Sequence, residues 1–228
     1  MCKLTARYHE DPAALHVGTE PNRAYYLPQA PDGAPRIHSL NGEWSFRYFD
    51  SFLDATEPDG TLKTGGMCPI QVPSCWQCSG WGRHMYTNVR FPIPVDPPYV
   101  PEENPCGLYS LDLPIRKPQG RRFFLNFEGV DSCFYLWVNG EFAGYSQVSH
   151  STSEFEVTRL LRDGENSFTV LVLQWCDGTY LEDQDKLRMS GIFRDVYLIE
   201  RPESFLRDFF VKESFAQDFS QADITVEL

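Results

Sequence analysis

From Leu108 to Trp175 the chain repeats one device: a short aromatic and β-branched run, then a turn. Leu108–Ile115, Arg122–Phe127, Cys133–Val138 and Ser167–Trp175 are the runs. Pro118-Gln119-Gly120, Asn139-Gly140 and Asp163-Gly164-Glu165-Asn166 are the breaks between them. Such residues fit a pleated, half-buried surface, and Gly, Pro, Asn and Asp supply the backbone angles of tight turns. Asn139-Gly140 suits a two-residue type I′ hairpin, where both central residues need positive φ. Upstream, Leu40–Tyr48 alternates apolar and polar with the period of a strand that buries one face. Downstream, Phe193–Ile199 returns to a strand. Only Val157–Arg162 hints at helix, of one or two turns. Many short strands and almost no helix predict an all-β fold, a jelly-roll β-sandwich.

Three regions frame that sandwich. Residues 1–36 are rich in Pro, Ala and polar residues without periodicity, and predict an extended arm laid on the domain. Residues 37–201 hold the sandwich. Beyond Arg201-Pro202-Glu203, the stretches Arg207–Lys212 and Ala222–Leu228 both read as strands. Two strands bury no core of their own, so residues 202–228 are expected to begin a further, truncated domain and the chain to be a fragment. Within the sandwich, residues 80–107 carry Pro92, Pro94, Pro97, Pro98, Pro101 and Pro105. Proline removes a backbone donor, which excludes a central strand or a helix and predicts a long ordered loop. Loops of that length in compact domains usually serve function or an interface.

Composition narrows the partners. The 228 residues are 42% hydrophobic and 14% aromatic, enough for a sizeable core. Formal net charge is −12 with no basic stripe, against a nucleic-acid partner and compatible with a neutral ligand such as a sugar. No apolar run reaches the roughly 18 residues of a membrane span. Met1–Pro12 lacks the apolar core of a signal peptide, so a cytoplasmic setting is expected. The seven cysteines are an odd number scattered among strands, which predicts reduced, mostly buried thiols rather than a disulfide framework.

Two segments carry candidate chemistry. Asp177–Val196 packs Glu182, Asp183 and Asp185 into four consecutive positions. Like charges so close raise the energy of the free loop unless water, a cation or sugar hydroxyls meet them. Tyr180, Leu181, Leu187, Met189 and Ile192 flank the charges and predict a loop anchored on apolar surface. In extended backbone Asp183 and Asp185 point the same way, and hard carboxylate oxygens suit sodium, magnesium or calcium rather than zinc. The second segment is Tyr86-Thr87-Asn88-Val89, just before the proline-rich stretch. An asparagine amide offers two donors and an acceptor, matching a vicinal diol; the plainer alternative is a turn-capping Asn.

Several strings together resemble the N-terminal sugar-binding domain of glycoside hydrolase family 2, in particular its β-galactosidases. They are Leu40-Asn41-Gly42-Glu43-Trp44, Val72-Pro73-Ser74-Cys75-Trp76-Gln77, Tyr86-Thr87-Asn88-Val89 and Pro97–Pro105. Phe127–Ser132, Leu136–Gly140, Ser153–Glu156, Gly164–Asn166 and the whole of 177–196 extend the similarity, which runs from about residue 37 to the end. The resemblance implies a jelly roll followed by an immunoglobulin-like domain, of which residues 202–228 would be the first strands, and then a catalytic barrel. It implies that Asn88 contacts galactose and that Asp185 binds sodium and the sugar's 6-hydroxyl. No catalytic residue lies in this chain, because the family's two glutamates belong to the barrel; the ligands for magnesium in the intact enzyme also lie outside this chain. The implied activity of the intact protein is hydrolysis of terminal β-galactosides, with a homo-oligomer as the implied assembly. A free-standing carbohydrate-binding module, or a family 2 enzyme for a glucuronide or mannoside, are the alternatives. The sequence departs from the family pattern at Cys75, where a polar residue is common, and at Lys186-Leu187, in place of Met-Trp.

Other signals are weaker. Cys75-Trp76-Gln77-Cys78 has C-x-x-C spacing but lacks two further clear zinc ligands and a redox context. The five histidines stand near no nucleophile elbow, and no glycine-rich nucleotide loop is present. Trp76 and Trp81 are expected to anchor the proline-rich loop rather than stack on sugar.

Overall fold

The computed structural model describes residues 1–29, 36–88, 90–182 and 185–228. Its strands in chain order begin with β1 (His16–Val17), β2 (Ile37–Ser39), β3 (Gly42–Phe49), β4 (Cys68–Val72), β5 (Met85–Thr87) and β6 (Cys106–Ile115). Then come β7 (Arg121–Phe127), β8 (Val130–Asp131), β9 (Cys133–Val138), β10 (Glu141–Gln147), β11 (Ser153–Glu156) and β12 (Gly164–Leu173). The last are β13 (Lys186–Arg188), β14 (Gly191–Ile192), β15 (Val196–Pro202), β16 (Phe210–Phe215) and β17 (Ala222–Glu227). A seven-stranded sheet of order β1-β10-β9-β12-β6-β3-β4 faces a four-stranded one of order β11-β7-β15-β2. The all-β sandwich expected from the sequence is what forms.

The main core lies between the sheets and follows the period of two. Phe134, Leu136 and Val138 of β9 and Phe168, Val170 and Val172 of β12 meet Phe123, Leu125 and Phe127 of β7 and Val196 and Leu198 of β15. The opposite face of the large sheet is also apolar: Cys133, Tyr135, Trp137, Leu171 and Leu173 pack with Phe49, Phe52 and Ala55. Residues Cys2, Leu4 and Tyr8 cover this second cluster. Every residue of β9 is therefore buried, which is why its sequence reads as an unbroken apolar run rather than an alternation.

Local elements follow their residues. Asn139 and Gly140 have φ of 53° and 81° and make the tight β9–β10 hairpin. Val157–Arg162 forms no helix; the amides of Leu160 and Leu161 both donate to the Val157 carbonyl in a single turn. β12 starts at Gly164, inside the expected turn, because Asn166 satisfies that turn from within the strand. Its Oδ1 accepts from the Arg162 amide at 2.8 Å and its Nδ2 donates to the Arg162 carbonyl at 2.9 Å. Among the described residues, the proline-rich stretch 80–107 is irregular except for β5 and the first two residues of β6. Beyond Pro202, β16 and β17 pair as a hairpin exposed along its whole length. All seven cysteines are free thiols; Cys106, Cys133 and Cys176 are buried and Cys78 is exposed, so burial is less general than expected. Among the described residues no helix is long and apolar enough to cross a membrane.

The N-terminal segment docks through specific contacts. β1 adds to the edge of β10, and Gly144 lets it approach: a Cβ there would stand 2.1 Å from the Val17 carbonyl oxygen and 2.7 Å from Phe155. His9, 2% exposed, donates its amide to Tyr135 Oη and holds that hydroxyl 2.8 Å from Nδ1. Tyr135 then donates to a neutral imidazole. Burial, with Arg7 nearby, pushes His9 from 6.5 down to about 4.

Two predictions follow from this docking. Gly144→Ala should cost about 1–3 kcal/mol in chemical denaturation and speed protease cleavage of the N-terminal segment. Unchanged cleavage would show that the segment does not need this approach. The unfolded chain binds the His9 proton near pH 6.5 and the folded chain only near 4. Stability should therefore be complete above 6.5 and decline as pH falls toward 4, by at most about 3 kcal/mol from this group. His9→Phe should flatten that part of the stability–pH curve, measured by urea titration; an unaltered curve would assign the loss elsewhere.

Candidate functional site

The two segments singled out in the sequence meet. β5 pairs antiparallel with β13, Tyr86 opposite Leu187 and Thr87 opposite Lys186. One further step in that register sets Asn88 opposite Asp185, although 97 residues separate them in the chain. Extended backbone puts residues two apart on one side, so Tyr86 and Asn88 share a face with Asp185 and Leu187. The hydroxyl of Tyr86 donates to Asp185 Oδ1, and Asn88 Nδ2 donates to Tyr86 Oη at 3.3 Å. Asn88, Tyr86 and Asp185 are all exposed, and form a lip of the molecule open to solvent. The bond to Asp185, then a slight desolvation, raises the Tyr86 phenol above its ordinary range.

The charged loop resolves its crowding by dividing its carboxylates. Glu182 turns inward and accepts from the Ser149 amide at 2.9 Å and from Ser149 Oγ at 2.6 Å. Asp185 turns to Tyr86. Asp183, the third acid of the sequence pattern, lies outside the described residues, so the expected Asp183–Asp185 pairing is not described. Arg188, buried at 2% exposure, donates Nη2 to the Glu182 carbonyl at 2.5 Å and ties the start of the loop to β13. Lys186 reaches Asp131 Oδ2 at 3.1 Å.

Apolar anchoring of the loop differs from expectation. Ile192 is buried and Tyr180 packs beside Trp175, Ile93 and Val100. Leu181 and Leu187 are instead 90% and 51% exposed. β13 and β5 form a two-stranded ladder of their own, in which Leu187 stands opposite Tyr86. Tyr86, not among the candidates of the sequence, joins Asn88 and Asp185 on the lip; its place two residues before Asn88 in extended chain is the signal for that.

The remaining candidates separate from the lip. Trp76 is fully buried against Phe46 and Tyr48, and Trp81 stacks on Tyr48 at 6.0 Å, so both hold the proline-rich stretch to the core. Cys75 is half-buried, and desolvation, with Cys78 and Asp131 nearby, pushes its thiol up to about 11. It is protonated at neutral pH and so is not a ready nucleophile. Among the described residues no group of three or more His, Cys, Asp and Glu could hold a metal ion. Among the described residues the lip presents hard oxygens from one carboxylate, one phenol and one amide.

Residues 37–202 match the family model described as glycosyl hydrolases family 2, sugar binding domain. Over 98% of its length the chain is 48% identical to a β-galactosidase of Actinobacillus pleuropneumoniae. Over 99% of its length it is 43% identical to a β-galactosidase of Staphylococcus xylosus. It spans 23% of the length of each of these curated relatives. A β-glucuronidase of Bacteroides uniformis superposes with a TM-score of 0.60 at 17% identity, over 83% of this chain and 21% of that one. At that identity the likeness is one of fold alone. With the family model spanning β2 to β15 and near relatives matching end to end along this chain, the protein belongs to glycosyl hydrolase family 2, whose sugar-binding domain it contains.

Proposed function

We infer that this chain is the sugar-binding part of a β-galactosidase and lends Asn88 and Asp185 to the edge of a galactose site completed by domains beyond it. The observation that carries this reading is the convergence of Asn88, Tyr86 and Asp185 on one exposed lip. Identity of 48% to a β-galactosidase supports the choice of sugar. The lip offers an amide that donates and accepts, and a carboxylate that accepts, which together read adjacent hydroxyls. Leu187 and Tyr86, apolar and exposed, give it a surface for the remaining polypeptide to cover. The hairpin of β16 and β17 would then be the first strands of an immunoglobulin-like domain.

Sodium belongs to the same reading. A single carboxylate with neutral oxygens beside it suits a monovalent cation better than zinc. Asp185 would hold the ion, with Tyr86 setting the carboxylate's orientation. Bound there, sodium supplies a positive charge that orients a sugar hydroxyl. Magnesium would be held by residues beyond this chain. The chain's own acids do not suit the hydrolysis itself. A retaining glycosidase needs two carboxyls about 5 Å apart on either side of the scissile bond, one kept protonated. Glu182 is committed to Ser149 and Asp185 to Tyr86. A cytoplasmic setting fits seven free thiols, and assembly of the intact protein as a homo-oligomer completes the proposal.

Four measurements test it. The 228-residue chain should not release chromophore from a chromogenic β-galactoside; turnover above blank would place catalytic groups within it. In the full-length enzyme, Asp185→Asn should weaken the sodium dependence and lower turnover by about 10- to 100-fold, the cost of removing a charged hydrogen-bonding partner. Kinetics that keep the wild-type response to sodium would remove Asp185 from the role. Asn88→Ala should raise KM by about two- to tenfold. In the isolated chain, Asp185→Asn should bring the Tyr86 phenol back toward its ordinary titration range, followed by ring NMR signals. A Tyr86 titration that does not move would break the link between the two side chains.

A further inference from the structure

One end of the sandwich stays open between β6 of the large sheet and β2, β7 and β15 of the small one. Residues two apart in a strand share a face. Glu200 follows Leu198 by two and Arg121 precedes Phe123 by two, and Leu198 and Phe123 both belong to the core between the sheets. Glu200 and Arg121 therefore stand on the inward face where that core ends. Arg36 joins them, since its carbonyl accepts from the Glu200 amide at 2.8 Å. On the other side β6 contributes Leu113 and Ile115, with Arg116 directly after it. Together with Pro118 these residues line a cavity of about 520 Å³.

Charge in this cavity is not balanced. Arg36 Nη1 donates to Glu200 Oε1 at 3.2 Å, and Arg121 Nε stands 3.2 Å from the same oxygen. His38 Nε2 lies 3.5 Å from the other oxygen, Oε2. One carboxylate thus answers two guanidiniums, and Glu200 is the only acid that lines the cavity among the described residues. Arg116 is exposed and has no ion pair among the described residues, which adds a further positive charge. A guanidinium carries five N–H donors. Arg36 and Arg121 each turn one nitrogen to Glu200, and their side chains are 20% and 28% exposed, so donors on both are open to a molecule in the cavity. The wall beside them is apolar: Leu113 is half-buried and packs on the core, and Ile115 belongs to it. The chain's net charge of −12 does not cancel this surplus, because charges more than about 8 Å away are screened at physiological ionic strength.

We propose that this cavity is a binding site for a small amphiphilic acid, whose carboxylate meets the guanidiniums of Arg36, Arg116 and Arg121 and whose apolar body lies against Leu113, Ile115 and Pro118. The planar fork of arginine matches the two oxygens of a carboxylate. A neutral ligand would leave the charge surplus unanswered. A bare inorganic anion would leave the apolar wall in water. The volume falls within the roughly 300–1,000 Å³ of pockets that hold small organic molecules. The site shares no residue with the Asn88–Asp185 lip and does not rest on the galactoside reading.

NMR of the 228-residue chain at fixed sodium and ionic strength, titrated separately with octanoate, n-octanol and inorganic phosphate, tests it. Octanoate should shift the Nε–H signals of Arg36 and Arg121 and the methyl signals of Leu113 and Ile115 together and saturably, with Kd in the millimolar range expected for so small a ligand. Octanol and phosphate should each bind at least about tenfold more weakly. Arg116→Gln, a change at an exposed side chain, should weaken octanoate binding about threefold. Arg121→Gln should weaken it about tenfold. Glu200→Gln removes the competing carboxylate and should tighten it about threefold, a direction that a purely structural part for Glu200 does not give. No saturable shift with octanoate would overturn the proposal. So would octanol or phosphate binding as tightly as octanoate, full affinity in Arg116→Gln, or no gain in Glu200→Gln.

Discussion

Burial of the large sheet on both faces is the constraint from which the remaining structure follows. A sheet packed on one side only would read as alternating residues and leave its other face in water. Here β9 is apolar at every position, so two coverings are required. The four-stranded sheet provides one and the N-terminal segment with Phe49, Phe52 and Ala55 the other. The N-terminal segment is thus part of the core rather than an appendage. Its polar groups had to enter with it: His9 is accommodated by Tyr135, and Arg23 by Glu154.

The sandwich also explains how the lip can exist at its edge. β5 and β13 each contribute only three residues and belong to neither large sheet. So short a ladder is not stable alone. Trp76 and Trp81 secure the proline-rich stretch that carries β5. Glu182, held by Ser149, and Arg188, reaching back to the Glu182 carbonyl, secure the loop that leads into β13. The rigid body positions the ends, and the exposed middle is left to Asn88, Tyr86 and Asp185. The acidic run therefore does two jobs: one carboxylate is structural and another is presented outward.

Much of the fold was legible along the chain, because strand periodicity and turn chemistry are local. Leu40–Tyr48, Leu108–Ile115 and Cys133–Val138 appear as strands at or near their expected bounds, and Asn139-Gly140 turns as its residues require. Misreadings arose where distant groups intervened. Gly164–Asn166 looked like a turn, yet Asn166 lets the strand begin there. Val157–Arg162 closes one turn only. Leu181 and Leu187 looked like anchors and are exposed, Leu181 at the end of a short turn and Leu187 on a two-stranded ladder outside both large sheets.

Residue types and their order determined the all-β class, the family, and the two segments able to meet a sugar or a cation. Whether Asn88 and Asp185 stand together could only be decided by folding, because pairing across 97 residues depends on the register of β5 with β13. The same holds for the bond between Tyr86 and Asp185 and for Glu154, Asn126 and Tyr197, which stand side by side on β11, β7 and β15. Their strands come from separate parts of the chain and become neighbours only in the sheet. Periodicity acts between residues a few places apart, whereas a binding surface is assembled from side chains that backbone hydrogen bonds bring side by side.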